Sequence, residues 1–350
     1  MALNIIDIAK LAGVSKSTVS RYLNNGYVGA EAREKIKKVL DETGFTPQRQ
    51  AKGMRTKKTN LIGVIVPKIS SETPARVVEG ITEILSPNNY DILIANTNLS
   101  IEKELEYLNI FKANQVDGII FMATKVTEKH ISVMKNLEVP IVVVAQDIEG
   151  FSSVFFNEFD ATRDITNCII EKGHKKLGYI GVYEEDQAVG FDRREAFIET
   201  LNEKNIEIIN ENIKIGDFAE ESGYKLAKEI MEGNNPPTAI VAVTDNLALG
   251  AIEYLIDNNY RVPEDVAVVG MGDSKISRVI TPKLTTIHYH YKTAGRKSAE
   301  IMLEYLNEKT IQKEKMVKKV KINCLLIKRN SEKSNCEKVL MIYIWECSYI

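Results

Sequence analysis

From Leu61 onward the chain alternates between short, near-continuous apolar runs and amphipathic stretches of about ten to fifteen residues. No other feature restricts the fold as strongly. Residues 61–67 (LIGVIVP) have no polar face, as expected for a strand covered on both sides by helices. The spacing predicts a helix over 74–85, a strand over 91–97, a helix over 101–113, a strand over 118–123, a helix over 127–136 and a strand over 140–146. A second series begins near Asn157, with helices over 160–172, 190–204, 219–232 and 246–258 and strands over 177–182, 212–217, 239–244 and 266–271. Strands separated by helices need crossover connections, so the body reads as α/β, with two doubly wound parallel sheets in tandem and a cleft between two lobes.

The first sixty residues follow a different rule. In 5–24 (IIDIAKLAGVSKSTVSRYLN), Ile5, Ile8, Ala9 and Ala12 make one helical apolar stripe, and Gly13 supplies a tight turn. Ser15 is placed to cap a second helix, in which Val19 and Leu23 face back and Lys16, Ser17, Thr18, Ser20 and Arg21 face out. A third amphipathic helix over 31–43 turns Ala32, Ile36, Val39 and Leu40 inward and ends at Gly44. Helix, glycine turn and polar-faced helix make a helix-turn-helix, whose second helix suits the DNA major groove. A bare helical hairpin would explain the same pattern, and charge separates the two readings. Residues 1–60 hold twelve Lys and Arg against five acids, a net +7, which leaves −9 for the rest of a chain totalling −2. A basic head on an acidic body is the electrostatic footprint of a nucleic-acid binder.

The stretch IDIAKLAGVSKSTVSRYLN resembles the opening of the LacI family of bacterial transcription regulators (DVA..AGVS..TVSRVLN) at nearly every fixed place. The likeness continues through residues 28–47 and, more loosely, to about residue 330. It implies that residues 1–45 bind DNA, with Lys16, Ser17 and Arg21 choosing bases and Ser15, Thr18, Ser20 and Asn24 completing the contact. Gly29 stands where the family usually has a serine cap. Residues 46–60, read alone, are a basic tether too short for a stable helix and weakened by Gly53. The resemblance implies instead a hinge helix that folds on operator DNA beside its twin in a homodimer. Met54 would be the minor-groove wedge, and Arg49, Lys52 and Arg55 would follow the phosphates. It further implies a periplasmic-binding-protein-like effector domain over 61–330, with the first lobe at 61–156 and 288–318 and the second at 157–287 and 319–330. Residues 331–350, ending in the apolar VLMIYIWECSYI, fit nothing in the family and are expected to be an extension.

Ligands of such sheets bind at the carboxyl ends of the strands, so the candidates lie just past each strand. They are Ser71, Glu72 and Thr73; Gln146; Arg193, at the family's effector-binding arginine; Phe218; Asp245; and Tyr289 and Tyr291 on the crossover. Phe218 suits either core or a sugar face, Asp245 either ligand or helix cap, and the two tyrosines either hinge packing or ligand. His288 and His290 flank the tyrosines and read as structural. Two departures, Gly272 where several branches have an acid and Ala145–Gln146 where an aspartate is common, set aside lactose-type and purine-type contacts. The stretch from Gly270 resembles the branch that responds to sucrose and related disaccharides.

The expected protein is therefore a cytoplasmic repressor of a near-palindromic operator, controlled by a mono- or disaccharide, with no metal and no cofactor. No GxGxxG, P-loop, GxSxG or HExxH motif points to an enzyme, and His130, His174, His288 and His290 lack ligand spacing. Cys168, Cys324, Cys336 and Cys347 include no CxxC pair. A transport protein with the same body would need a signal peptide and no helix-turn-helix. Dependence on a phosphorylated carrier protein as corepressor is the alternative mode of control.

Overall fold

A computed structural model describes residues 3–23, 26–45, 58–307 and 316–332. Asn24, Arg49, Lys52, Met54 and Arg55 lie outside the described residues, as do residues 333–350. The chain divides into two compact units, Met1–Asn60 and Leu61–Ile350.

The first unit is three helices, α1 (Ile5–Leu11), α2 (Lys16–Leu23) and α3 (Ala30–Thr43). Asn4 opens α1 with a capping box: its side chain accepts from the Ile6 N–H at 2.8 Å, and the Asp7 carboxylate accepts from the Asn4 N–H at 3.0 Å. Gly13 turns the chain at φ +63°, and the Ser15 hydroxyl caps α2 by accepting from the Thr18 N–H at 3.1 Å. Gly29 precedes α3 without a side-chain cap, and Gly44 closes it at φ +62°. Ile8, Val19 and Ile36 are fully buried at the centre, one from each helix.

The second unit contains two six-stranded sheets. The first is ordered β11-β5-β4-β3-β1-β2 and the second β12-β10-β9-β8-β6-β7. The strands are β1 (Leu61–Val66), β2 (Asp91–Asn96), β3 (Gly118–Met122), β4 (Ile141–Val144), β5 (Ser152–Phe156), β6 (Leu177–Val182), β7 (Ile213–Gly216), β8 (Ala239–Ala242), β9 (Ala267–Met271), β10 (Thr285–His288), β11 (Lys319–Ile322) and β12 (Leu325–Ile327). All pairings are parallel except β12 on β10. The apolar runs are continuous because a strand's alternating side chains enter two cores. Ile62, Val64, Val142 and Val144 join the core under helices Glu72–Leu85 and Tyr291–Asn307. Ile65, Ile141 and Val143 join the core under helices Ile101–Ala113 and Glu128–Lys135.

Three expectations are corrected. The strand β5 was not anticipated from the hydrophobic pattern. The segment 319–322, expected in the second lobe, is β11 and pairs with β5 in the first sheet, Val320 opposite Val154. Ser331 and Glu332, expected to begin the extension, are buried: the Thr285 N–H donates to the Ser331 hydroxyl at 2.9 Å, and the Thr285 hydroxyl donates to the Glu332 carboxylate. The chain therefore crosses between lobes three times, after Phe156, His288 and Ile322. Phe156 meets the rings of Tyr289 and Tyr291 edge-on, each at 5.3 Å, where these segments pass.

Candidate functional site

Two surfaces are placed by these elements. On the first unit, α2 turns Lys16, Ser17 and Arg21 fully outward, with Thr18 and Ser20 half-buried beside them. The Ser15 hydroxyl lies 2.7 Å from the Ser17 hydroxyl and 2.8 Å from that of Thr18, so the start of the helix presents a cluster of hydroxyls. The Arg33 guanidinium lies 5.7 Å from the Tyr22 ring centroid, tying α3 to α2 behind that face. Donors and small hydroxyls on a helix with a packed inner face can reach base edges and phosphates.

In the second unit a cavity of about 370 Å³ opens between the lobes at the carboxyl ends of the strands. That volume lies near the low end of small-molecule sites, which run from about 300 to 1,000 Å³. Ser71, Glu72, Thr73, Gln146, Arg193, Phe218, Asp245 and Tyr291 all border it. Tyr289 does not. Its ring is buried behind the wall, stacked on Tyr291 at 5.4 Å, and its hydroxyl donates to Glu158 at 2.7 Å. Of the two tyrosines, one packs the hinge and the other faces the cavity.

Arg193 begins the helix Arg193–Glu203 and is 3% exposed. Its Nε donates to Glu158 Oε2 at 2.7 Å, an Nη donates to the Val243 carbonyl, and its guanidinium lies 4.7 Å from the Tyr289 ring centroid. Burial works against its charge, but the Glu158 carboxylate more than offsets this and raises its pKa well above the ordinary guanidinium value. Asp245 is held from both sides: Oδ1 accepts from the Thr286 hydroxyl and Oδ2 from the Ser274 N–H, each at 2.6 Å. Thr244 caps the helix Asp245–Asp257 by accepting from the Leu247 N–H at 3.2 Å, so Asp245 is free of the capping role considered for it. Burial raises the pKa of Asp245. Phe218 is half-buried and meets Tyr183 edge-on at 5.6 Å.

Polar contacts bridge the lobes around this cavity. Arg76 donates to the Asp273 carbonyl at 3.0 Å and pairs with Glu72, whose Oε2 accepts from the Lys275 N–H at 3.1 Å. Gln146 donates to Asp186 Oδ1 at 3.4 Å, and Lys125 faces Glu185 at 3.8 Å. Asp273 in turn takes His288 at 2.8 Å and both Arg278 and Arg329 at 2.5 Å. Burial would raise its pKa, but these three partners prevail and bring it down to about 2. Arg76, Glu158 and Asp186 are wall residues that the motifs did not single out. Asp186, the fourth residue past β6, carried a usable signal, since strand ends mark the cleft. Glu158 became legible only with β5.

Burial pushes the Asp186 carboxyl up to about 6, against the Val189 N–H that it accepts at 3.0 Å. An acid whose pKa rises on folding holds its proton more tightly in the native state. Its ionised form therefore weakens the fold at neutral pH, and stability is recovered as pH falls from about 6 towards 4. Asp186→Asn is expected to raise the melting temperature by a few degrees at neutral pH, with the gain fading below pH 6. Thermal unfolding across pH checks this, and a gain independent of pH would mean that Asp186 does not titrate in this way.

A head with a DNA-reading helix, joined to a two-lobed body that encloses a small-molecule cavity, defines a ligand-responsive DNA-binding protein. The family description "Bacterial regulatory proteins, lacI family" matches residues 4–48, and "Periplasmic binding protein-like domain" matches residues 166–331. The chain is 32% identical over 309 residues to the sucrose operon repressor of Staphylococcus xylosus, covering 88% of this chain and 95% of that protein. It is 31% identical over 314 residues to catabolite control protein A of Priestia megaterium, covering 89% and 95%. The lac repressor dimer bound to operator and the anti-inducer ONPF superposes with a TM-score of 0.83 at 24% identity, covering 95% of this chain and 100% of that one. This chain belongs to the LacI family, and it is a DNA-binding transcription regulator rather than an enzyme. Among the described residues no helix is long and apolar enough to cross a membrane.

Proposed function

We propose that the chain is a cytoplasmic, homodimeric repressor of a carbohydrate-utilisation operon, whose operator affinity is set by a mono- or disaccharide held between the lobes. One observation carries this reading: the inter-lobe cavity is lined by two aromatic rings, Phe218 and Tyr291, together with hydrogen-bonding groups from both lobes. A sugar ring has apolar C–H faces and a rim of hydroxyls, so it needs both kinds of wall. The similarity to a sucrose operon repressor supports the same reading. Sugar bound to both lobes would favour the arrangement in which they are bridged, and residues 46–60 would carry that preference to the DNA-binding heads. Operator affinity then changes by the ratio of ligand affinities for the two states.

The test is an operator gel-shift titration with and without sucrose, maltose, trehalose and cellobiose. Release by one sugar alone supports the reading, whereas operator binding that no sugar changes and that appears only on adding a phosphorylated carrier protein rejects it. Arg21→Ala should weaken operator binding by about tenfold or more, the scale of one base or phosphate contact. Unchanged binding would remove Arg21 from the interface.

A further inference from the structure

The charges around the cavity say more about its ligand than its aromatic rings do. Three cations and four carboxylates line it, a net negative set. Arg193 is paired with Glu158, both less than a tenth exposed. Arg76 is paired with Glu72 and spends a further donor on the Asp273 carbonyl across the cleft. Lys68 is exposed at the rim. Four helices begin with a residue that lines this cavity, at Glu72, Arg193, Asp245 and Tyr291, and a helix start is normally a good place for a phosphate. Two of them carry their own carboxylate there, Glu72 and Asp245, and the Arg193 helix continues directly from the helical segment Gln187–Asp192. Asp245 has both oxygens engaged by Thr286 and Ser274. The remaining carboxylate is Asp186, 3% exposed, whose Oδ1 is shared between the Val189 N–H and Gln146.

A phosphate ester needs cationic forks or free N–H groups to replace its hydration, and like charges at close range in a poorly solvated cleft repel strongly. We propose that this cleft accepts an uncharged polyhydroxylated ligand and rejects the phosphorylated form of the same compound, with Asp186 the discriminating residue. The inference rests on the reading that a sugar binds between the lobes, and it narrows that class. Asp186 acts in two ways. It holds Gln146 from the opposite lobe, and it places negative charge where an ester oxygen would have to be neutralised. Glu158 contributes by cancelling Arg193, the buried cation that would otherwise attract the ester.

Isothermal titration of the full chain against matched pairs tests this: glucose and glucose 6-phosphate, sucrose and sucrose 6-phosphate, trehalose and trehalose 6-phosphate, adenosine and adenosine monophosphate. The expected result is that the parent binds more tightly than its ester by about tenfold or more, the scale of one close like-charge contact. An ester that binds as tightly as its parent overturns the proposal while leaving the sugar reading in place. Binding by adenosine but by no sugar, with the monophosphate excluded, upholds the charge rule and removes the sugar reading. No binding by any pair at millimolar concentration overturns both. Asp186→Asn keeps an acceptor for Val189 and should narrow the parent-to-ester ratio about tenfold by strengthening ester binding. Glu158→Gln, which frees the charge of Arg193, should move the ratio the same way. An unchanged ratio in both variants overturns the assignment to Asp186.

Discussion

Arg193→Ala should abolish the effector response and lower the melting temperature of the body in one step. The substitution leaves the Glu158 carboxylate buried with Tyr289 as its remaining side-chain partner and strips a donor from the Val243 carbonyl. Breaking a buried ion pair by removing one partner costs about 3–5 kcal/mol. At roughly 2–4 °C per kcal/mol for a body of this size, the loss is about 6–20 °C. The first unit has its own core of Ile8, Val19 and Ile36, so operator binding should persist below the new melting point. Thermal unfolding and operator release, measured on one preparation, check both halves. Release by sugar at wild-type concentrations would take Arg193 out of the ligand site. A normal melting point would mean that the Glu158 pair contributes nothing to the fold.

Gly295→Val should be comparably damaging through backbone packing. Helices Glu72–Leu85 and Tyr291–Asn307 approach so closely that a Cβ on Gly295 would fall well inside 3.0 Å of the Val77 carbonyl oxygen. A Cβ on Gly80 would meet the Lys292 carbonyl in the same way. Neither obstacle is a flexible side chain that can swing aside, so the helices must separate. Overpacking of this kind costs about 3 kcal/mol or more where the backbone has to move. The damage should reach the cleft, because the first of these helices starts at Glu72 and carries Thr73 and Arg76 to the cavity wall. A lower melting point together with weaker effector binding is expected, and Gly295→Ala should lie between wild type and Gly295→Val. A Gly295→Val protein that melts like wild type would show that the helix pair gives way without loss.

Much of the architecture was legible because burial on two faces leaves a plain mark. Strands such as β4 (IVVV) and β8 (AIVA) are apolar throughout, since successive side chains enter different cores. β5 was missed because SSVFF opens on two serines. Their hydroxyls are satisfied from outside the strand: that of Ser152 accepts from the distant Lys318 N–H, and that of Ser153 from the Ile148 N–H in the preceding loop. β11 (KVKI) reads as an exposed edge strand, and its lobe was misassigned because only the position of β5 determines where it pairs. Ser331 and Glu332 escape a local reading for a similar reason. Nothing local in Ser331–Glu332 shows that both reach back to Thr285.

The opposed outcomes at Tyr289 and Tyr291 mark the same boundary within the site. Two residues apart and chemically identical, they differ only in what surrounds them, Glu158 and Arg193 for one and the open cavity for the other. The sequence by itself determined the DNA-reading head, the doubly wound body and the strand ends that border the cleft, because periodicity, charge and turn chemistry are local properties of the chain. Only the tertiary structure decided which side chains face the cavity and which charges cancel there. Pairing Arg193 with Glu158 and bridging Gln146 to Asp186 joins residues 35 and 40 positions apart, and such distances are set by packing.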